Sequence, residues 1–152
     1  QTGGLGVRGH GVRLGYYHNP EATAEVLRDG ALWTGDMGHV DADGFVYITG
    51  RAKEMIIVGG ENVYPREIEN VLAEHPAVRE AAVIGVRDDV RGELPAAFVI
   101  LKEDAVANKT ELRDFCRGRL AGYKVPRWVR IAPELPRSAT GKILKRALTP
   151  PP

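Results

Sequence analysis

Cysteine is nearly absent from this sequence of 152 residues, which contains only Cys116. A single cysteine excludes an internal disulfide, so the fold does not depend on an oxidising compartment. Cys116 follows Leu112 and Phe115 in a stretch whose apolar residues recur at helical spacing. We expect a buried and chemically inert thiol there rather than a catalytic nucleophile.

Long hydrophobic runs are absent too. No segment approaches the ~18 apolar residues that a membrane-spanning helix needs, and the first residues lack the charged-then-apolar order of a signal peptide. The four histidines do not have the spacing of metal ligands, so no metal site is predicted. With 43% hydrophobic and 27% charged residues, the composition is typical of a globular protein, and we expect a cytoplasmic one.

The chain has no large excess of either charge, because its formal net charge is +1. The basic residues are nevertheless unevenly distributed. Between residues 117 and 146, nine basic residues accompany a single acid, Glu134. Such a segment favours a polyanion such as a nucleotide, coenzyme A (CoA) or nucleic acid, although a solvated basic face would show the same pattern.

The order of apolar segments predicts an α+β fold. Residues 1–50 are predicted to be β-rich, with a hairpin turn at residues 42–44 and a short helix that Asn19 caps and Pro20 begins. From Met55 onward the order β-α-β-β-α-β predicts a small antiparallel sheet with helices on one side. We expect the strands at residues 55–58, 78–86, 95–101 and 128–131, and the helices at residues 65–74 and after a cap at Thr110. A loop at residues 136–141 precedes a short basic helix from Ile143.

Three motifs combine residue types that suit nucleotide chemistry. In WTGDMG, residues 33–38, Asp36 can offer both carboxylate oxygens to a vicinal diol such as a ribose, although a turn aspartate bonded to its own backbone has the same sequence pattern. In residues 47–65, the pair Gly59-Gly60 permits close approach of a ligand to the backbone, or forms only a tight turn. In residues 136–142, Lys142 lies on an exposed loop, where a solvated surface charge is the alternative.

Together the three motifs resemble the adenylate-forming superfamily, which contains acyl-CoA and aryl-CoA synthetases, luciferases and the adenylation domains of peptide synthetases. The resemblance runs nearly end to end, from residue 7 to Lys142, and GRAKEMIIVGGENVYPREIE at residues 50–69 is similar to the CoA-ligase branch. AMP-forming ligases of long- and medium-chain fatty acids look closest, with aryl-CoA ligases behind. The resemblance implies an acid–thiol ligase that activates a carboxylic acid with ATP as acyl-AMP and then transfers the acyl group to CoA.

The resemblance also implies roles in the ATP half-reaction. Asp36 matches the aspartate that binds the ribose hydroxyls of ATP, and Arg51 matches the arginine that assists it. Lys142 matches the lysine that reaches the carboxylate and the α-phosphate during adenylation, where positive charge offsets the repulsion between two anions. Lys142 also resembles the site at which a lysine acetyltransferase silences CoA synthetases, since acetylation removes that charge.

Further residues match positions that serve the second half-reaction. Lys53 matches the hinge, where few residues absorb the backbone change of a domain rotation. Gly59 and Gly60 match the turn that lines the pantetheine channel. Three further cations are expected to contact the phosphates of CoA because of their charge: Arg87, Lys124 and Arg127.

The resemblance divides the chain into residues 1–50, the end of a large N-terminal domain, residues 51–53, the hinge, and residues 54–152, a small C-terminal domain. The phosphate loop, the acyl pocket and the groups that hold Mg²⁺ with ATP would belong to the rest of the N-terminal domain, the expected partner of this chain. The sequence begins without methionine. We therefore expect a fragment that is inactive alone, because it cannot position ATP and the acid.

Two other functions stay open. An adenylation domain that loads a carrier protein instead of CoA would share most of these motifs. A compact βαββαβ module with a basic tail is also how some RNA-binding domains are built. The predicted strands at residues 81–84 and 96–99 lack the exposed aromatic residues that stack on bases, so we expect no nucleic-acid binding.

Overall fold

The computed structural model describes residues 2–150 and has the predicted α+β fold. The chain forms two compact units that meet in sequence between Lys53 and Glu54. Each unit has its own sheet, with four strands in the first unit and five in the second.

The first unit is built on one long strand. Its elements are β1 (Gly3–Val7), α1 (Pro20–Val26), β2 (Leu27–Arg28), β3 (Ala31–Val40) and β4 (Val46–Arg51). β1, β2 and β4 all pair antiparallel with β3. The prediction of a β-rich segment with one short helix is therefore confirmed.

Local side-chain bonds explain where two of these elements begin or turn. The Asn19 side chain accepts a hydrogen bond from the amide of Ala22 at 3.0 Å, which caps α1 as predicted. At the β3–β4 turn, Asp41 Oδ1 accepts hydrogen bonds from the amides of Phe45 at 2.9 Å and Asp43 at 3.0 Å. These bonds, above all the one from Phe45, hold the pKa of the Asp41 carboxyl below its usual value.

The second unit combines a five-stranded sheet with two helices. Its elements are β5 (Ile56–Val58), β6 (Glu61–Val63), α2 (Pro65–Ala73), β7 (Val78–Asp88), β8 (Gly92–Leu101), α3 (Lys109–Arg117) and β9 (Trp128–Ile131). β7 and β8 form a long antiparallel hairpin, and β5 and β9 pair with different parts of β8.

Side chains of β8 alternate between two buried clusters, as the pleat of a strand requires. Ala97 and Val99 belong to one cluster, and Ala96, Phe98 and Ile100 belong to the other. The first cluster includes buried side chains of both helices: Ile68, Leu72, Leu112 and Cys116. The second cluster is packed by the C-terminal segment through Leu135, Ile143 and Leu148. The helices thus cover one face, as predicted, while an irregular segment covers the other.

The start of α3 differs from the prediction. Asn108, not Thr110, is the cap: its side chain accepts a hydrogen bond from the amide of Glu111 at 3.0 Å. The Glu111 carboxylate in turn accepts a hydrogen bond from the Asn108 amide at 3.3 Å, which completes a capping box. Thr110 lies inside the first turn.

Three other features differ from the prediction. β9 runs parallel to β8, and the connection through α3 supplies the long crossover that a parallel pair needs. β6 forms a hairpin with β5 directly after Gly59-Gly60. The expected basic helix after Ile143 is a single 3-10 turn at Lys145–Ala147.

Candidate functional site

The Asp36 and Arg51 side chains meet in the first unit. The two residues are opposite each other in the β3–β4 register, and Arg51 Nε lies 2.9 Å from Asp36 Oδ1. The Asp36 side chain is 20% exposed and that of Arg51 61%. The arginine therefore fixes the aspartate by a charge-assisted hydrogen bond, while its own exposed guanidinium stays accessible to a ligand.

The backbone around Asp36 depends on two glycines. Gly35 has φ +76°, in the left-handed region that favours glycine. A Cβ on Gly38 would lie 2.5 Å from the carbonyl oxygen of Tyr47, and the β3–β4 register shifts just before Gly38. Such an irregularity redirects nearby side chains. The Asp36 amide donates to Thr34 Oγ1 at 3.1 Å, so the motif fixes the backbone of Asp36, whereas Arg51 fixes its carboxylate.

Gly59 and Gly60 form the two-residue turn between β5 and β6. Their φ angles of +59° and +92° are both in the left-handed region, which a two-residue hairpin of this kind requires. The Gly59 amide donates to the carbonyl oxygen of Arg91 at 2.8 Å. A Cβ at either glycine would meet no atom within 4 Å, so backbone conformation rather than crowding requires glycine in this turn.

Lys142 ends a loop that its own hydrogen bonds close. The Ser138 amide donates to the Lys142 carbonyl oxygen at 2.8 Å, and the Gly141 amide donates to the Ser138 carbonyl oxygen at 2.9 Å. The Lys142 amide donates to the Ser138 hydroxyl at 3.2 Å. The Lys142 side chain is exposed, and its ammonium forms no ion pair with any residue from 2 to 150. The ammonium is therefore available to an anion.

Two cations that flank Lys142 in sequence are already paired. Arg137 forms an ion pair with Glu80, and Lys145 forms one with Glu69. Lys142 thus differs from Arg137 and Lys145, because no carboxylate in the described part of the chain pairs with it; the exposed Arg146 shares this property.

The three cations assigned to CoA phosphates have different surroundings. Lys124 Nζ donates to both carboxylate oxygens of Glu67, each at 2.8 Å, so a phosphate would compete with an existing ion pair. Arg87 is exposed and lies opposite Glu93 in the β7–β8 register. Arg127 is exposed and lines two surface grooves.

The two grooves share Arg113 and Arg127 and are rich in guanidinium groups. The larger has a volume of about 550 Å³, and its charged lining residues are Asp88, Arg91, Arg113, Arg117 and Arg127. The smaller has about 400 Å³, and its charged lining residues are Lys109, Arg113, Arg127 and Arg130. Arg113 Nε is buried and has no hydrogen-bond partner among residues 2–150. This concentration of cations suits phosphate groups.

Sequence reasoning missed Arg113 as a lining residue. The available signal was the spacing of Lys109, Arg113 and Arg117, which places three cations at i, i+4 and i+8 on one face of α3. Arg91 follows the charged segment after Arg87, and no local pattern distinguishes it.

Cys116 is buried as predicted, with no exposed side-chain surface. Burial raises the pKa of its thiol to about 11, an effect that the charge of Arg119 partly offsets. A thiol with this pKa stays protonated near neutral pH and does not act as a nucleophile.

No group of three or more His, Cys, Asp or Glu side chains among residues 2–150 is arranged to hold a metal ion. None of the helices described there is long and apolar enough to span a membrane.

Comparison with known proteins gives the following relationships. The family described as AMP-binding enzyme C-terminal domain matches residues 67–142. A long-chain-fatty-acid–CoA ligase of Bacillus subtilis is 53% identical over 148 residues, which are 97% of this chain and 26% of that protein. A 2-succinylbenzoate–CoA ligase of Geobacillus kaustophilus is 49% identical over 148 residues, 97% of this chain and 30% of that protein.

A solved structure shows the same fold. It is the o-succinylbenzoate CoA synthetase of Bacillus subtilis in complex with its acyl-adenylate intermediate, with a TM-score of 0.91 and 39% identity. The match covers 100% of this chain and 31% of that chain. The chain therefore spans between about a quarter and a third of the length of these relatives.

Proposed function

Since the chain belongs to the AMP-binding enzyme C-terminal domain family, we propose that it is the C-terminal part of an AMP-forming acyl-CoA ligase. The observation that carries this proposal is the free ammonium of Lys142 at the end of a closed loop, beside Arg137 and Lys145, whose charges are paired. A cation in that state can stabilise a transferring phosphoryl group at little cost in reorganisation.

The proposed reaction has two steps. A carboxylate oxygen of the acid attacks the α-phosphorus of ATP, and the bond to pyrophosphate breaks. The thiol of CoA then loses its proton and attacks the acyl carbonyl, and AMP leaves with the bonding electron pair. In the first step, two anions must approach each other, and Lys142 is proposed to offset their repulsion.

Asp36 and Arg51 are proposed to hold the nucleotide. The Asp36 carboxylate, fixed by Arg51 at 2.9 Å, would accept hydrogen bonds from the two ribose hydroxyls. The exposed Arg51 guanidinium would add a cationic donor beside the nucleotide. Mg²⁺ would enter with ATP, held by the part of the enzyme outside this chain.

The basic grooves around Arg127 are proposed to receive the nucleotide end of CoA. Their volumes of about 550 and 400 Å³ and their guanidinium groups suit an adenosine with several phosphates. Gly59 and Gly60, whose turn is open on its outer side, are proposed to line the path of the pantetheine arm. Lys53 is proposed as the hinge between residues 1–50, the end of an N-terminal domain, and residues 54–152, the C-terminal domain.

A fatty acid is the proposed substrate, supported by the similarity to long-chain-fatty-acid–CoA ligases. A 2-succinylbenzoate substrate is the second candidate, because ligases with that name are nearly as similar. ATP–pyrophosphate exchange by the full-length enzyme, measured with palmitate, decanoate and 2-succinylbenzoate, distinguishes them. The chain of 152 residues alone is the control and should give background exchange, because it cannot position ATP and the acid.

The central test separates the two steps in the full-length enzyme. Lys142→Ala should slow adenylation by on the order of a hundredfold to a thousandfold, the usual effect of removing one electrostatic contact to a transition state. Transfer from preformed acyl-adenylate to CoA should stay close to wild type. The matched control is Arg146→Ala, which removes an exposed cation from the same segment. Equal loss in both assays would show that Lys142 is a structural residue, and the proposal would fail.

A further inference from the structure

We propose that Arg137 and Lys145 are positioning residues that anchor the two ends of the Lys142 loop, so that the free lysine is presented from a fixed backbone. This inference rests on the proposed function of Lys142. It concerns ion pairs between the loop and the sheet and helices of the second unit, and both anchors lie within that unit.

The upstream anchor is the guanidinium of Arg137. One of its nitrogens, Nη1, donates to the carbonyl oxygen of Gly141 at 3.0 Å, and Nη2 donates to the carboxylate of Glu80 on β7. The planar guanidinium can make both bonds at once in a fixed geometry, which an ammonium cannot. Arg137 thereby links Gly141, the residue immediately before Lys142, to strand β7.

The downstream anchor is the ammonium of Lys145. It donates to Glu69 on α2 at 2.8 Å and to Glu54 at 2.5 Å. Glu69 Oε1 also accepts a hydrogen bond from the amide of Val83 on β7 at 2.8 Å, so this carboxylate is itself held in place. The side chains of Lys145 and Glu69 are only 24% and 17% exposed, which reduces solvent screening of the pair.

The loop between the anchors is closed by Ser138, whose amide, carbonyl and hydroxyl bond to Gly141 and Lys142. Gly141 adopts φ +82°, a conformation that suits glycine and reverses the chain just before Lys142. Anchoring at both ends fixes the Lys142 Cα, while the side chain beyond it stays free to reach an anion. Misplacement of a catalytic group by about 1 Å can cost roughly a hundredfold in rate.

The first experiment uses the chain of 152 residues and does not need activity. Hydrogen exchange of the Ser138 and Gly141 amides should become at least about tenfold faster in Arg137→Gln, because the loop opens more often when an anchor is lost. Arg146→Gln, an exposed cation of the same segment, is the matched control and should leave both rates unchanged. Unchanged exchange in Arg137→Gln would overturn the anchoring itself.

The second experiment uses the full-length enzyme. Arg137→Gln and Lys145→Gln should each lower the kcat of adenylation by about tenfold to a hundredfold, with KM for ATP unchanged, and should spare thioester formation. The conservative Arg137→Lys should rescue only part of the rate, since it keeps the charge but loses one of the two bonds. A variant that unfolds would lose both half-reactions and is recognised by its lower Tm.

The decisive measurement is the combination of each anchor variant with Lys142→Ala. If Arg137 acts through Lys142, the double variant should adenylate no more slowly than Lys142→Ala alone, because residues that act as a unit are not additive. Additive losses would overturn the positioning role. If Lys142→Ala itself leaves adenylation intact, the proposed function fails, and the hydrogen-exchange result still decides whether the anchors exist.

Discussion

The chemistry of a lysine depends on what surrounds its ammonium, and the C-terminal segment contains two contrasting cases. Lys142 is exposed, whereas the Lys145 side chain is 24% exposed and donates to two carboxylates. An ammonium in the second state must break charge-assisted hydrogen bonds before it can react. Lys142 and Lys145, only three positions apart, should therefore differ in reactivity.

Amine labelling should reveal this difference. With limiting acetic anhydride at neutral pH, we expect Lys142 to be acetylated several times faster than Lys145, as measured by peptide mass spectrometry. In Glu69→Gln, Lys145 should become more reactive while Lys142 does not change. Equal reactivity of the two lysines in the wild-type chain would contradict the ion pairs of Lys145. A lysine acetyltransferase that acts on this segment would, by the same argument, modify Lys142.

At the scale of elements, features that depend on local sequence were predicted, whereas pairs between distant residues were not. The Asn19 cap, the β3–β4 hairpin and the strands of the β7–β8 pair depend on neighbours in sequence, and the structure has them all. The partners of Lys124 and Arg137 are each 57 residues away, and Lys145 bonds a residue 91 positions away. No local signal identifies such pairs, because they arise only after the sheet and helices have packed.

The cap of α3 shows that a local pattern can also be misread. Residues 108–111 read Asn-Lys-Thr-Glu, and both Asn108 and Thr110 are residue types that cap helices. The glutamate three positions after Asn108 decides between them, since it completes the reciprocal pair of bonds of a capping box.

Replacing each candidate cap with alanine measures how much that residue contributes to the free energy of unfolding. Asn108→Ala should lower the free energy of unfolding by about 1 kcal/mol, because it leaves amides of the first turn without an acceptor. Thr110→Ala, the matched control on the exposed side of the same turn, should change it by less than about 0.5 kcal/mol. Urea unfolding followed by circular dichroism gives both values. A larger loss in Thr110→Ala would mean that the helix begins later than Asn108.

At the scale of the whole molecule, the two units differ in how much apolar surface they bury. Of the twenty buried hydrophobic side chains among the described residues, only Ala31 belongs to the first unit. Several large side chains of that unit are at least half exposed: Tyr17, Phe45, Val46, Tyr47 and Ile48. Burial of apolar surface is the main favourable contribution to folding, so stability should be concentrated in the second unit.

This contrast predicts that the units fold unequally when they are separated. Residues 54–152 contain both buried clusters and should unfold cooperatively as an isolated protein, with dispersed amide resonances in NMR spectra. Residues 1–53 should be largely unfolded alone, since a sheet with one buried apolar side chain among its described residues cannot offset the loss of chain entropy. The same result is expected if residues 1–50 are the end of a larger domain that supplies their missing core. A cooperative thermal transition in isolated residues 1–53 would contradict this assignment, and an unfolded 54–152 would show that the second unit needs the first.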